Sequence, residues 1–81
     1  MVVTLLYFAR VREGMGTGSE TIDLPDGIAT TGELADWLAQ RHEVFADRSR
    51  LHVAVDQVIA DFDTAIGSAH EIAFFPPVTG G

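Results

Sequence analysis

Apolar residues along this chain fall into short runs of two different periods, and the periods give the elements. Residues 2–9, VVTLLYFA, are almost unbroken β-branched, aliphatic and aromatic side chains and predict a strand. Thr4 is the one polar position inside the run and sets its phase: Val3, Leu5 and Tyr7 toward a core, Thr4, Leu6 and Phe8 toward a less buried face. Residues 20–25, ETIDLP, alternate again, with Ile22 and Leu24 inward and Thr21 and Asp23 outward. The polar, glycine-rich REGMGTGS between the two runs predicts the loop of a hairpin, and Pro25-Asp26-Gly27 ends the second strand with turn chemistry.

The period then changes. Thr30 with Glu33 three residues later is a capping box, in which each side chain satisfies an amide at a helix start. Leu34, Trp37, Leu38 and Arg41 recur at helical spacing, so a helix is predicted over residues 31–42, with Arg41 near the end where the dipole favours a cation. LHVAVDQVIA, residues 51–60, predicts a strand with Leu51, Val53 and Val55 inward, a turn at Asp56-Gln57, and a short strand at Val58 and Ile59. The following ADFDTAIGSAH predicts an irregular loop, and EIAFF, residues 71–75, the last strand, with Ile72 and Phe74 inward and Ala73 and Phe75 outward.

Two strands, a helix and three more strands make an α+β domain, and at this length the natural solution is a β-grasp (ubiquitin-like) fold: a mixed sheet with one main helix on one face. Parallel pairing of the first and last strands at the sheet centre accounts for their being the most hydrophobic runs. One helix covers one face only. The opposite face would carry Leu6, Phe8 and Phe75 together, with Ala54 beside them, and a contiguous exposed apolar patch of that kind marks a partner site.

Composition narrows the function. The chain has 81 residues, expected to form a single domain spanning 1–81, and no cysteine, so neither a disulfide nor a thiolate takes part in its chemistry. No run approaches the ~20 apolar residues of a membrane span and no signal-peptide pattern opens the sequence, so the expected location is the cytoplasm. Twelve acidic residues face five arginines and no lysine, for a net charge of −7, which leaves no basic face for nucleic acid.

Self-contained catalytic motifs are missing from the sequence. GMGTG, residues 14–18, leads into a strand without a following lysine, and predicts a flexible hairpin loop rather than a phosphate cradle. His42, His52 and His70 have no metal-ligand spacing, Asp61 and Asp63 lack the remaining ligands of a calcium loop, and Ser19, Ser49 and Ser68 stand in no nucleophile motif. No metal or stably bound cofactor is expected, and the chemistry is left to an end of the chain.

That end is FFPPVTGG. Pro76 and Pro77 impose extended, polyproline-like geometry directly after a core strand, and Val78, Thr79, Gly80 and Gly81 shrink progressively in size. Residues 76–81 are expected to form an extended flexible tail. Five or six extended residues reach about 16–20 Å, enough to thread a terminal carboxylate into another protein's cleft. That carboxylate, with an ordinary pKa near ~3.5, is ionised and a poor electrophile at neutral pH, so it needs activation, ordinarily by ATP.

EIAFFPPVTGG, YFARVRE at residues 7–13 and AVDQVIADFD at residues 54–63 resemble the corresponding segments of the MoaD family, the small sulfur-carrier subunits of molybdopterin synthase. The resemblance runs along essentially the whole chain, and FFPP before the glycine pair is its most specific part. It implies a β-grasp carrier whose Gly81 carboxylate is adenylated by an E1-like enzyme of the MoeB type with ATP, then converted to a thiocarboxylate. It further implies that the tail, Pro76, Pro77, Val78, Thr79, Gly80 and Gly81, threads into a MoaE-type large subunit, giving a heterotetramer. The terminal sulfur there builds the dithiolene of molybdopterin. By the same resemblance Phe8, Phe75 and Leu6 dock on partners, Arg12 adds polar contacts, and the chain is no enzyme on its own. A carrier for thiamine or amino-acid biosynthesis, a ubiquitin-like modifier and a plain binding module are the other readings of a glycine-ended β-grasp chain.

Overall fold

The computed structural model describes residues 1–77. Its elements are β1 (Val2–Tyr7), α1 (Ala9–Met15), β2 (Ser19–Asp23), α2 (Thr31–Ala39), β3 (His52–Val55), β4 (Val58–Ala60) and β5 (Glu71–Phe75), with single 3₁₀ turns at Glu43–Phe45 and Arg48–Arg50. The five strands form one mixed sheet in the order β2-β1-β5-β3-β4. β1 and β5 pair in parallel, Leu5 opposite Ile72 and Tyr7 opposite Phe74, and every other pairing is antiparallel. This is the β-grasp arrangement, with the two most apolar strands adjacent inside the sheet.

The inward phase of the central strands builds the core. Val3, Leu5, Tyr7, Val53, Ile72 and Phe74 pack with Leu34, Ala35 and Leu38 of α2. Phe45, delivered by the first 3₁₀ turn, completes an aromatic cluster: it meets Phe74 edge-on at 4.9 Å and Tyr7 at 6.2 Å between ring centroids. The Tyr7 hydroxyl escapes burial without a partner by donating to Glu20 Oε2 at 2.8 Å. Burial first, and the Glu20 carboxylate second, push that phenol well above its ordinary pKa.

Two expectations are corrected. The hairpin connection is not a loop throughout: residues 9–15 form α1, with Val11 fully buried and Met15 packed against the core. Gly16, at φ 77°, ends this helix in the left-handed conformation that a Cβ disfavours, its N–H donating to Arg12 O. Residues 14–18 therefore do not form one flexible loop: Gly14 lies inside the helix and Gly16 stops it. The main helix is also shorter than expected, ending at Ala39 instead of residue 42. Arg41 lies beyond it, its guanidinium 4.4 Å from the Trp37 ring centroid, and His42 precedes the first 3₁₀ turn.

The start of α2 is secured from two sides. Thr30 Oγ1 accepts from the Glu33 N–H at 3.2 Å, and Glu33 Oε1 accepts from the Ala29 and Thr30 N–H groups at 2.9 and 3.0 Å. The irregular segment after β4 supplies the rest: Thr31 N–H donates to Thr64 O, Gly32 N–H to Phe62 O, and the buried Thr31 hydroxyl to Asp61 O. Gly32 is required there because a Cβ would stand 2.5 Å from Phe62 O. Thr30→Ala is expected to cost about 1 kcal/mol in chemical denaturation. The backbone donors of Ala29 and then Thr30 hold the Glu33 carboxyl below its ordinary range. Its contribution is thus present above the unfolded carboxylate pKa and fades as pH falls through the lowered folded value. Glu33→Gln is expected to flatten that acid limb in a pH series of melting curves.

Candidate functional site: the outer sheet face and the root of the tail

The strands present their other phase on the face opposite α2, and the register fixes which residues meet there. Leu6 stands opposite Ala73, Ala73 opposite Ala54, and Ala54 opposite Ile59, one apolar row across four strands. In the next row Phe75 stands opposite His52, and their rings stack at 5.7 Å between centroids. Phe8 follows Tyr7, the partner of Phe74, and so extends that second row on the other side. Phe8 is 49% and Ile59 68% exposed, while Ala54 and Ala73 form a buried floor between them. Thr4 and Glu71, paired with each other, and Ser19, paired with Leu6, are polar and bound the patch. Leu6, Phe8 and Phe75 thus come together on one face. Ile59 and His52 join them without having been singled out in the sequence, although a two-residue turn at Asp56-Gln57 places 54 opposite 59.

That turn also fixes the start of β5. Asp56 and Gln57 both take positive φ, 48° and 71°, the geometry of a tight two-residue hairpin turn. Asp56 Oδ1 accepts from the N–H groups of His70 and Glu71 at 2.9 and 3.0 Å, and the Asp56 N–H donates to Glu71 O. The strand that carries the tail is therefore clamped at its beginning by the β3–β4 turn.

At the other end of β5 the Phe8 N–H donates to Phe74 O at 3.1 Å. Two prolines follow, and having no N–H they cannot continue as ladder donors. Pro76 is half-buried and Pro77 exposed. Both line a groove of about 320 Å³ with Ala9, Arg10 and Arg50. Arg12 lies elsewhere, on α1 over Gly18, in a depression shared with Glu13, Gly16 and Thr17. Val78, Thr79, Gly80 and Gly81, the rest of the expected threading tail, lie outside the described residues.

Among the described residues no group of three or more His, Asp or Glu side chains is placed to hold a metal ion, and no helix is long and apolar enough to cross a membrane. The groups with shifted pKa values have structural causes. Tyr7 is buried on Glu20, Glu33 caps α2, and Asp47 is held low first by the hydroxyl of Ser49 and then by its N–H.

The family model of ThiS matches residues 5–81. The molybdopterin synthase sulfur carrier subunit of Haemophilus influenzae is 37% identical over 83 residues, covering 99% of this chain and all of that protein. The protein of the same name from Mycobacterium tuberculosis is 38% identical over 81 residues, covering 98% of this chain and 96% of its own length. Among solved structures, the small archaeal modifier protein 1 of H. volcanii superposes with a TM-score of 0.74 at 27% identity, covering 95% of this chain and 98% of that one.

Proposed function

The chain belongs to the ThiS family, and from that premise we propose that it is the sulfur-carrier subunit of a molybdopterin synthase. The observation that carries the reading is nearly full-length similarity, at 37% and 38% identity, to curated proteins of that name.

In this reading the folded part presents the tail and the tail does the chemistry. An oxygen of the Gly81 carboxylate attacks the α-phosphorus of ATP on an E1-like activating enzyme, and pyrophosphate leaves. Hydrosulfide then displaces AMP from the acyl carbon, giving a thiocarboxylate. The charged carrier docks its outer sheet face on a large subunit, in a heterotetramer with two copies of each. Its terminal sulfur attacks a carbon of the pterin precursor there and an oxygen substituent leaves that carbon; water then cleaves the acyl C–S bond of the resulting thioester, leaving the sulfur on the pterin and returning the Gly81 carboxylate. Two rounds supply both dithiolene sulfurs. The clamped β5 and the Pro76-Pro77 pair aim the tail, and the two side-chain-free glycines let a narrow channel close around the backbone. In this reading general acids and bases are supplied by the partners, and the chain itself acts as the sulfur donor. ATP is consumed on the activating enzyme, and the whole cycle is placed in the cytoplasm.

Reconstitution tests this. Carrier charged on an E1-like enzyme and mixed with the large subunit and pterin precursor is expected to yield molybdopterin. Charging without product formation would move the chain to another sulfur-transfer pathway, and covalent higher-mass conjugates in cells would make it a modifier.

A further inference from the structure

Arg10 and Arg50 come from distant parts of the chain, the first turn of α1 and the end of the second 3₁₀ turn, and converge on the groove at the tail root. Ala9, the first residue of α1, takes φ 51°, a conformation that costs a residue with a Cβ about 1–2 kcal/mol, and this reversal leads the chain into Arg10. Both arginines are exposed, and neither belongs to an ion pair among the described residues. The other cations are differently engaged: Arg48 bonds Asp36 and the Gly32 carbonyl, Arg41 stacks on Trp37, and Arg12 lies over Gly18. Asp47, which caps the second 3₁₀ turn, has its carboxylate occupied by the N–H and hydroxyl of Ser49. The groove lining thus holds two cations and no acid, on a chain whose net charge is −7.

Resting on the carrier reading, we infer that Arg10 and Arg50 receive carboxylate side chains at the mouth of the cleft in the large subunit that takes the tail. The position selects the ligand. Four residues separate Pro77 from the terminal carboxylate, about 13–14 Å when extended, so phosphates reacting at Gly81 stand far from the root. What meets the root of a threaded tail is the rim of the partner's cleft. Guanidinium forks match carboxylates bidentately, and charges at a rim act chiefly on the rate of productive encounter. The two arginines adjoin Pro76 and Pro77, so a partner seated on the apolar face with the tail inserted also covers this groove. An acidic rim would guide a mostly acidic carrier in tail-first.

The test is stopped-flow association of the full chain with the large subunit at about 50 mM and about 500 mM salt, since screening shortens the reach of charge from ~14 to ~4 Å over that range. Arg10→Gln/Arg50→Gln is expected to associate about 10-fold more slowly at low salt and within about twofold of wild type at high salt. Arg10→Lys/Arg50→Lys, which keeps the charge, is expected to stay within about threefold throughout. An unchanged low-salt rate for the Gln pair, with an unchanged melting temperature, overturns the inference, as does a loss that persists equally at high salt. Wild type that binds while the Gln pair behaves like it removes this inference alone. Wild type that fails to bind the large subunit removes the carrier reading beneath it.

Discussion

Deleting Gly81 is expected to abolish sulfur loading and molybdopterin formation while leaving the melting temperature within about 4 °C of wild type. Among the described residues the packed core runs from Val3 to Phe74, seven positions before Gly81, so the deletion is expected to leave it intact. Surface changes of that kind stay within about 0.5 kcal/mol, and a domain of this size shifts by about 4–8 °C per kcal/mol. The functional loss is large because the carboxylate moves. One residue is about 3.3–3.6 Å of extended chain, and a misplacement of about 1 Å already costs some 100-fold in a reaction that depends on near-attack geometry. Gly81→Ala keeps the length and adds one methyl. It is expected to impair activation or transfer through the channel walls, again with stability nearly unchanged. Intact-protein mass spectrometry after charging and a thermal melt of the same samples measure both halves, and a large drop in melting temperature would mean that the tail belongs to the core.

The second large effect separates two adjacent phenylalanines. Phe74 is fully buried in the cluster with Tyr7 and Phe45, whereas Phe75 points to the other face and stacks on His52. Phe74→Ala is expected to cost about 3–5 kcal/mol, the usual range for a buried aromatic, which lowers the melting temperature by roughly 12–40 °C. A chain of this length has a total stability of about 4–12 kcal/mol, so the variant will sit at the edge of unfolding. Phe75→Ala is expected to cost about 1 kcal/mol or less in stability and to weaken binding to the large subunit by about 10–100-fold, as a central aromatic anchor does. Melting curves and calorimetric titrations of the two variants decide it. Equal losses of stability would mean that the outer face is not free for a partner.

Much of this was legible in the sequence because each element carries its own local signal. Thr4 and Glu71 mark the solvent phase of β1 and β5, and from those two positions the core set and the exposed set both follow. The Thr30/Glu33 box places the start of α2 at the observed residue. Its end was misplaced because Arg41 continues the helical spacing after the helix has stopped, held by stacking on Trp37 and by an N–H bond to the Leu38 carbonyl in a closing turn. α1 was missed for a different reason. Val11 and Met15 are an i, i+4 apolar pair among good helix formers, but three glycines in five residues outweighed them, and only packing on the core makes so short a helix stable. At the site, Leu6, Phe8 and Phe75 follow from strand phase alone. Ile59 needed the register across the Asp56-Gln57 turn. Arg10 and Arg50 had no signal at all, since their meeting depends on the left-handed turn at Ala9 and on a 3₁₀ segment forty residues away.

The carrier reading stands or falls on the end of the chain. The direct measurement is the intact mass of the full protein after incubation with an E1-like adenylating enzyme, ATP and a sulfide source, with the modified residue located by fragmentation. Exchange of one oxygen for one sulfur, mapped to Gly81, is the expected result. An unchanged mass with several enzymes that charge a control carrier would contradict it and leave the apolar sheet face as the working part of the molecule.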